Sequence, residues 1–515
     1  MNWFLKPNVK VDASLQLLVK LEGPSIRDRL RQNRVTVDEG KKAAIVGSLD
    51  AARARIFQIW AAGVSSREPA SLEVITLQNY IAEYSSLFSK IRQLPDEILL
   101  LILLHPDIHD HLIIGHPSSR LSAVHPTTAH ITAVCTYWRS LVLAMPVFFA
   151  SLNVLVTGSQ NNLSLLRLFL LRSQNAPLSI IVQARPNTRL NPAIVDAIVQ
   201  QAPRWERLRI APATHSTDFV SSIPAHLPLL ETIAFGGTAV ALGRIAAPRL
   251  QIVGMRSISE MNDIPDLPPN GIRQLSAHLM VGLCGKLLDK FSNVSHLTIT
   301  PLRYSRVNNP LTPKPHPSVQ KLTLLANGET ETAFVEVMKA LNLPSLEWLQ
   351  LVDGIRCDSS SLQSHTHRSG CRLKTLLLRN TFISALDFVE LLRALPTLET
   401  LEITWQSQVT DAMTDLVLTR LTPVPGLNIL PALTKLVLNG NFAFGTTALL
   451  TMLASRLAAG STGTSLAIID ITLVDRVMSS VQLEMFAALR IGTLTSLECL
   501  DENRKRVRVC NGLWR

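Results

Sequence analysis

The sequence predicts an α/β chain in which short parallel strands and helices stack as an irregular solenoid, behind a small helical region nearer the N-terminus. Three observations carry that expectation. An apolar hexapeptide recurs ten times, a proline precedes most copies at a fixed offset, and residues 94–104 form one nearly unbroken apolar run. The 515 residues allow two to four domains, or one long repeat array with something attached. Apolar residues make up 47% and charged residues 17%, too greasy for a disordered chain. Such a chain either buries a large core or keeps surface for a partner. No stretch reaches the 18 or so apolar residues of a membrane span: the longest, 98–104, ends at His105 and Pro106.

Six scattered cysteines (Cys135, Cys284, Cys357, Cys371, Cys499 and Cys510) read as reduced thiols, not a disulfide framework. The start MNWFLKPNVKVD lacks the pattern of a secretory signal, so an intracellular protein of cytoplasm and/or nucleus is expected. Of the net charge of +11, residues 1–93 contribute +5 and residues 501–515 contribute +3. The body between them, near neutral, argues against a nucleic-acid binder, which concentrates charge on one folded face.

Residues 1–93 are mixed, with arginines clustered from Arg27 to Arg34. Residues 72–88 place apolar side chains at helical spacing, with Ser71 as the expected cap. The next segment, 94–152, is distinct. In LPDEILLLILL, Pro95 suits the first helical position, and Asp96 and Glu97 suit the positive end of the helix dipole. A helix apolar all round must be covered all round, so one face should pack on its own domain and the other on another protein. Further on, ITAVCTYWRSLVLAMPVFFASL predicts a helix carrying Ile131, Val134, Cys135, Trp138, Leu141 and Val142, ending before Pro146.

From residue 205 the hexapeptide takes over: apolar, two others, apolar, one other, apolar. It reads WERLRI at 205, LETIAF at 230, LQIVGM at 250, VSHLTI at 294, VQKLTL at 319, LEWLQL at 346, LKTLLL at 373, LETLEI at 398, LTKLVL at 433 and LAIIDI at 466. The modal interval of 25–27 residues lies within the 20–29 of leucine-rich repeats, and the 44-residue gap before 294 should hide a degenerate unit. Pro203, Pro228, Pro248, Pro317, Pro344, Pro396 and Pro431 each sit two residues before the first apolar position, marking the end of one helix and the start of the next strand. Residues 331–341, 384–395 (capped by Ser384) and 446–457 read as the helices between. A doubly wound domain also alternates strand and helix, but without a fixed hexapeptide and a fixed proline. The asparagine expected after the last apolar position is present mainly as Asn441, so the turns should be irregular.

The segment at 94–152 resembles the F-box. The matching elements are Leu94-Pro95-x-Glu97-Ile98-Leu99, Val134-Cys135-x-x-Trp138-Arg139, and Met145-Pro146 with Phe148 and Leu152; the lead-in from Tyr84 to Gln93 resembles that of the large fungal F-box families, which often continue into leucine-rich repeats. The resemblance covers about 60 residues by motif and the rest by architecture. It implies a small all-α F-box of three helices, followed by an irregular leucine-rich-repeat solenoid of parallel strands and helices. The implied divisions are 1–93, an F-box at 94–152, a substrate-binding solenoid at 153–500 and a basic tail at 501–515. It further implies a non-catalytic substrate receptor of a Skp–cullin–F-box ubiquitin ligase. Leu94, Pro95, Ile98, Leu99 and Ile102 would dock the Skp-type adaptor, and through it the cullin and RING subunits; Val134, Cys135 and Trp138 would hold the F-box core; and the repeats would bind a protein substrate through residues the sequence does not single out. The alternative is a leucine-rich-repeat interaction scaffold acting outside ubiquitination.

Other constellations are weaker. Cys357, His365, His367 and Cys371 could ligate zinc, but the spacing lacks the close cysteine pair of structural sites, and the serine-rich stretch reads as a loop. His105, His109, His111 and His116 with Asp107 and Asp110 read as a solvated loop. Residues 460–465 (GSTGTS) read as a flexible turn. The basic run at 504–508 could be a nuclear signal, though a solvated tail or a cap of the last repeat is the better reading. Phosphate-loop, dinucleotide, zincin and nucleophile-elbow motifs are absent from the sequence. No cofactor, metal, membrane or nucleic-acid partner is therefore expected.

Overall fold

The computed structural model describes residues 39–61, 69–85, 88–105, 112–114, 131–156, 160–184, 190–211, 216–236, 245–302, 313–326, 333–424, 428–458, 466–489, 494–500, 506–510 and 513–514. The arginine cluster at 27–34, most of the histidine-rich loop and the 460–465 turn lie outside them. The chain divides into two compact units, Met1–Ser179 and Ile180–Arg515. That division falls at residue 179, whereas the sequence places the end of the motif-bearing segment at 152.

Among the described residues of the first unit, two helices come first, α1 (Glu39–Ala61) and α2 (Pro69–Ser85). They pack through Ala52, Ile56 and Leu77, flanked by Ile59, Val74, Tyr80 and Ile81. Arg55 Nε donates to Glu73 across the pair at 2.9 Å. Then follow α3 (Asp96–Leu103), β1 (Leu112–Ile114), α4 (Thr136–Ala144), a 3-10 turn (Pro146–Phe149), β2 (Ser151–Leu155) and α5 (Gln160–Arg172). The expected all-α module is thus not all-α. β1 pairs in parallel with β2, Leu112 opposite Leu152, because a Leu-Ile-Ile run and a buried Leu-x-Val alternation both favour strand. Arg172 lies 5.3 Å from the centre of the Phe149 ring, tying α5 to the 3-10 turn.

In the second unit strands recur, with α-helices between many but not all of them. After β3 (Leu178–Gln183) and α6 (Pro192–Val199) come β4 (Trp205–Ile210), α7 (Ser216–Ser221), β5 (Thr232–Phe235), β6 (Ile252–Ile258), β7 (Gln274–Leu279), α8 (Cys284–Lys290), β8 (His296–Pro301) and β9 (Lys321–Leu325). Then follow α9 (Ala333–Ala340), β10 (Trp348–Val352), α10 (Ser359–Ser369), β11 (Thr375–Arg379), α11 (Ala385–Arg393), β12 (Thr400–Thr414), α12 (Asp415–Leu421) and β13 (Lys435–Ala443). The last elements are α13 (Thr446–Ala458), β14 (Ile468–Val477), α14 (Ser480–Ala488), β15 (Leu494–Leu500), β16 (Arg506–Cys510) and β17 (Leu513–Trp514). From β4 to β15 each strand pairs in parallel with the next in sequence, as a solenoid-like stack requires. β7 is the hidden unit of the 44-residue gap: Ile272, Leu275 and Ala277 reproduce the hexapeptide and are buried.

The proline has a more specific job than ending a helix. In six units it is the second residue of a four-residue turn, whose first carbonyl accepts from the first apolar residue of the hexapeptide. Leu343 O accepts from Leu346 N, Leu395 O from Leu398 N and Leu430 O from Leu433 N, and Ala202, Leu227 and Ala247 do the same before β4, β5 and β6. Fixed φ makes proline the natural second residue there. The first apolar residue therefore sits in the turn, and only the second and third lie inward on the strand. Past the turn, one carbonyl per unit accepts two N–H groups from the following unit. Gln320 O takes those of Glu347 and Trp348, Glu347 O those of Lys374 and Thr375, and Lys374 O those of Glu399 and Thr400. Inward strand residues bury in continuous rows (Leu322, Leu349, Leu376, Leu401, Leu436, Ile469), one leucine or isoleucine per unit.

Three expectations are corrected in this unit. The serine-rich stretch is not a loop but α10, capped by the Asp358 carboxylate on Ser361 N and by Gly370 at φ +65. Asn441 lies inside β13, and the turns after β10 and β11 instead place Asp353 and Asn380 at positive φ, with the Asn380 amide donating to the Asp353 carboxylate. The segment 501–515 is not simply a tail, because β16 runs antiparallel to β15, with Arg508 opposite Glu498, and β17 returns along β16.

Candidate functional site

The helix α3 has two unlike faces. Leu99 and Leu103 are buried in the first unit, Leu99 with 1% of its surface accessible. Ile98, Leu101 and Ile102, one helical stripe at i, i+3 and i+4, are 44%, 66% and 38% exposed. Pro95 is exposed and Leu94 half-buried. The expected docking set therefore splits. Leu94, Pro95, Ile98 and Ile102 reach the surface, whereas Leu99 belongs to the core and is removed from the set. The sequence reading missed Leu101, although its spacing from Ile98 was the available signal. Such a stripe of large aliphatic side chains stays stable in water only at a cost, and marks a place where another apolar surface fits.

The helix is set at its N-terminal end. Pro95 takes the capping position, not the first helical one, and its carbonyl accepts from Leu99 N at 3.0 Å. Asp96 then accepts a hydrogen bond from the Tyr137 hydroxyl on α4, so both helix starts are joined. Burial, then the Asp96 carboxylate, pushes the Tyr137 phenol up to about 12. It remains a donor at any physiological pH.

The second half of the motif is broken where one helix was expected. Residues 131–134 are helical, Cys135 is extended (φ −158, ψ 167), and α4 begins at Thr136. Cys135 Sγ accepts from Trp138 N at 3.4 Å, capping the new helix. Arg139 Nε reaches back to Thr132 O at 2.8 Å and holds the short turn against α4. This break rotates Val134 outward. Expected in the core, it is 55% exposed, while Cys135 is buried and Trp138 half-buried. The core is completed by Ile131, Val142, Phe148, Phe149 and Leu152, while Leu143 and Val147 face solvent. The first unit thus presents exposed aliphatic side chains on both α3 and α4.

The cysteine and histidine set of the second unit does other work. His365 is fully buried with Nδ1 3.2 Å from Met338 O, and Ser369 Oγ lies 3.4 Å from its Nε2. Arg368 donates to Met338 O and Leu341 O, so α10 is stitched to the end of α9. Burial pushes the thiols of Cys357 and Cys371 up. Among the described residues no three His, Cys, Asp or Glu side chains converge as a metal would need, and no helix is long and apolar enough to cross a membrane. His105 is exposed; the remaining histidines of its cluster lie outside the described residues. Comparison of the chain with protein-family models and with curated proteins finds no match in either.

Proposed function

We propose that the chain is a non-catalytic substrate receptor of a Skp–cullin–F-box ubiquitin ligase. The first unit docks a Skp-type adaptor and the repeat unit holds a protein substrate. The observation that carries this reading is the split face of α3, inside the Leu-Pro-x-Glu-Ile motif that resembles the F-box. Its buried leucines anchor the helix, and its exposed Ile98, Leu101 and Ile102 stripe supplies a surface for an apolar groove or helix. In this role the chain performs no bond chemistry. It raises the local concentration of substrate lysines near a charged ubiquitin-conjugating enzyme. A scaffold role outside ubiquitination uses the same repeats but places no demand on that stripe.

The three exposures amount to about one and a half aliphatic side chains, or roughly 2–4 kcal/mol at 1.5–3 kcal/mol per fully buried chain. An Ile98→Asp, Leu101→Asp double variant removes about 1.1 of those side chains and should weaken adaptor binding by roughly 15- to 250-fold. Co-expression with the Skp adaptor, followed by calorimetric titration, tests this. Both positions are exposed, so the circular dichroism melt should not move. Wild-type protein that fails to bind the adaptor, or a double variant that binds as tightly, would refute the reading.

A further inference from the structure

We propose that the exposed sheet face over β4–β10 binds a carboxylate-rich extended peptide segment, which rests on the receptor reading above and gives its substrate a chemistry. The strands pair in register from one to the next, so their outward residues form continuous rows. One row runs Arg207, Thr232, Ile252, Gln274, His296, Lys321 and Trp348. The row two residues on carries Arg209, Ser276, Thr298, Thr323 and Gln350, and the next carries Arg256 and His278. In the middle of this face is a groove of about 300 Å³, lined by Gln274, Ser276, His296, Thr298, Lys321 and Trp348 among others.

Charge separates this region from the rest of the same face. Over β4–β9 the outward rows hold Arg207, Arg209, Arg256 and Lys321, and the carboxylates beside them are Glu206 and Glu231, at the starts of β4 and β5. Among the described residues Arg207 alone of these cations is paired with a carboxylate, Glu206 at 4.0 Å from the start of its own strand. Further along, cations and carboxylates neutralise one another: Lys374 with Glu347 at 2.9 Å, Arg379 with Glu402 at 3.2 Å, and Arg506 with Glu498 at 3.3 Å. An acidic guest gains from the first region and nothing from the second. His296 and His278 are held below their ordinary value, first by burial and then by Lys321 and Arg256 respectively, as expected inside a positive field.

The spacing chooses among anions. Lys321 and Arg256 are three strands apart across the sheet, about 14 Å at 4.8 Å per strand, and four residues apart along it, about 13 Å more, so roughly 20 Å separates them. A phosphate wants several donors on one point; these cations are dispersed, which matches carboxylates spread along a chain. Hydroxyl and amide groups of Ser276, Thr298, Thr323, Gln274 and Gln350 lie between them as hydrogen-bond partners for backbone, and Trp348 forms an aromatic wall. Single-stranded nucleic acid wants several aromatic platforms, and this groove has one.

The test uses the full chain, with the adaptor added in a separate titration, and fluorescence anisotropy of four labelled probes. These are a twelve-residue Glu/Gly/Ser peptide, its Gln counterpart, a peptide with a single phosphoserine, and an RNA 12-mer. The Glu peptide should bind, lose affinity steeply with salt, and bind roughly tenfold more weakly to an Arg256→Glu, Lys321→Glu variant. Lys435→Glu, on the same face beyond the basic region, should leave it unchanged, and all variants should melt like wild type. Equal binding of the Gln peptide, equal loss in Lys435→Glu, or preference for the phosphopeptide or the RNA would overturn the proposal. Adaptor affinity, read on the same samples, separates this failure from that of the receptor reading: Ile98→Asp, Leu101→Asp should lose the adaptor yet keep the peptide.

Discussion

Arg456→Met is the sharpest test of how the repeats are locked together. Arg456 lies on α13 with 2% of its surface accessible. Its Nε donates to Leu421 O at 2.8 Å, Nη1 to Leu430 O at 3.1 Å and Nη2 to Ile429 O at 2.6 Å. Leu421 closes α12, so its carbonyl has no partner within the helix. Leu430 sits at φ +58, a conformation leucine rarely adopts, and opens the proline turn that starts β13. One guanidinium therefore closes a helix, holds a strained residue and sets the next strand. Burial pulls its pKa down to about 10, so it stays charged at neutral pH. Hydrogen bonds from a charged donor contribute about 1.5–3 kcal/mol each. Relief of burying the cation offsets part of the three, leaving a loss of about 3–5 kcal/mol. Urea unfolding followed by circular dichroism reads that difference, with Arg393→Met as control. Arg393 pairs with Glu390 on an exposed surface and should move stability by less than about 0.5 kcal/mol. Arg456→Lys should fall between, since an ammonium cannot span three carbonyls. A loss under about 1 kcal/mol for Arg456→Met would refute the reasoning.

Other outcomes can be checked alongside. Gly440 sits at φ +141, where a Cβ would enter the Trp405 carbonyl oxygen; Gly440→Ala should cost at least about 3 kcal/mol in the same unfolding assay. His278, His296, His316 and His365 are all held below 6.5 by burial. The unfolded chain then binds more protons than the folded one as pH falls through 6.5, so stability should drop between pH 7.5 and 5.5; a flat profile in thermal melts would contradict this. In native alkylation read by mass spectrometry, Cys371 should react before Cys135, Cys284, Cys357 and Cys499, which are buried; Cys284 is also pushed up to about 12.

Much of the repeat architecture is legible in the sequence, because the apolar rows and the proline turn recur at fixed offsets. Where a unit lacks them the signal fades. Ile272–x–x–Leu275–x–Ala277 hides because alanine replaces a large third residue and Asn270 stands where the proline of other units would be, Pro268 and Pro269 lying further upstream. α10 is obscured by its serines: Leu362 and His365 bury its inner face, while its caps, Asp358 and Gly370, were the readable cue. α1 passed unread although Ile45, Leu49, Ala52 and Ile56 follow helical spacing. In the candidate site, composition showed that α3 needed cover on two sides but could not say which side was which. Leu99 and Leu101 differ only in direction, Leu99 turning into the core and Leu101 toward solvent. The outward turn of Val134 depends on one extended residue, Cys135, that helical periodicity cannot reveal.

The reversal of the chain at β15 and β16 has a consequence for assembly. A stack of parallel strands ends in a row of open backbone donors and acceptors, and a second molecule could continue the stack from there. Here the final strands double back, the last of them only two residues long. Arg506 and Arg508 stand on the strand that covers the end of the stack. A fibril growing end to end would have to add to a short, basic, reversed edge, in the wrong direction for the next repeat. The reversed strands β16 and β17 therefore give this side of the stack an antiparallel edge, on which a further parallel repeat does not continue the ladder.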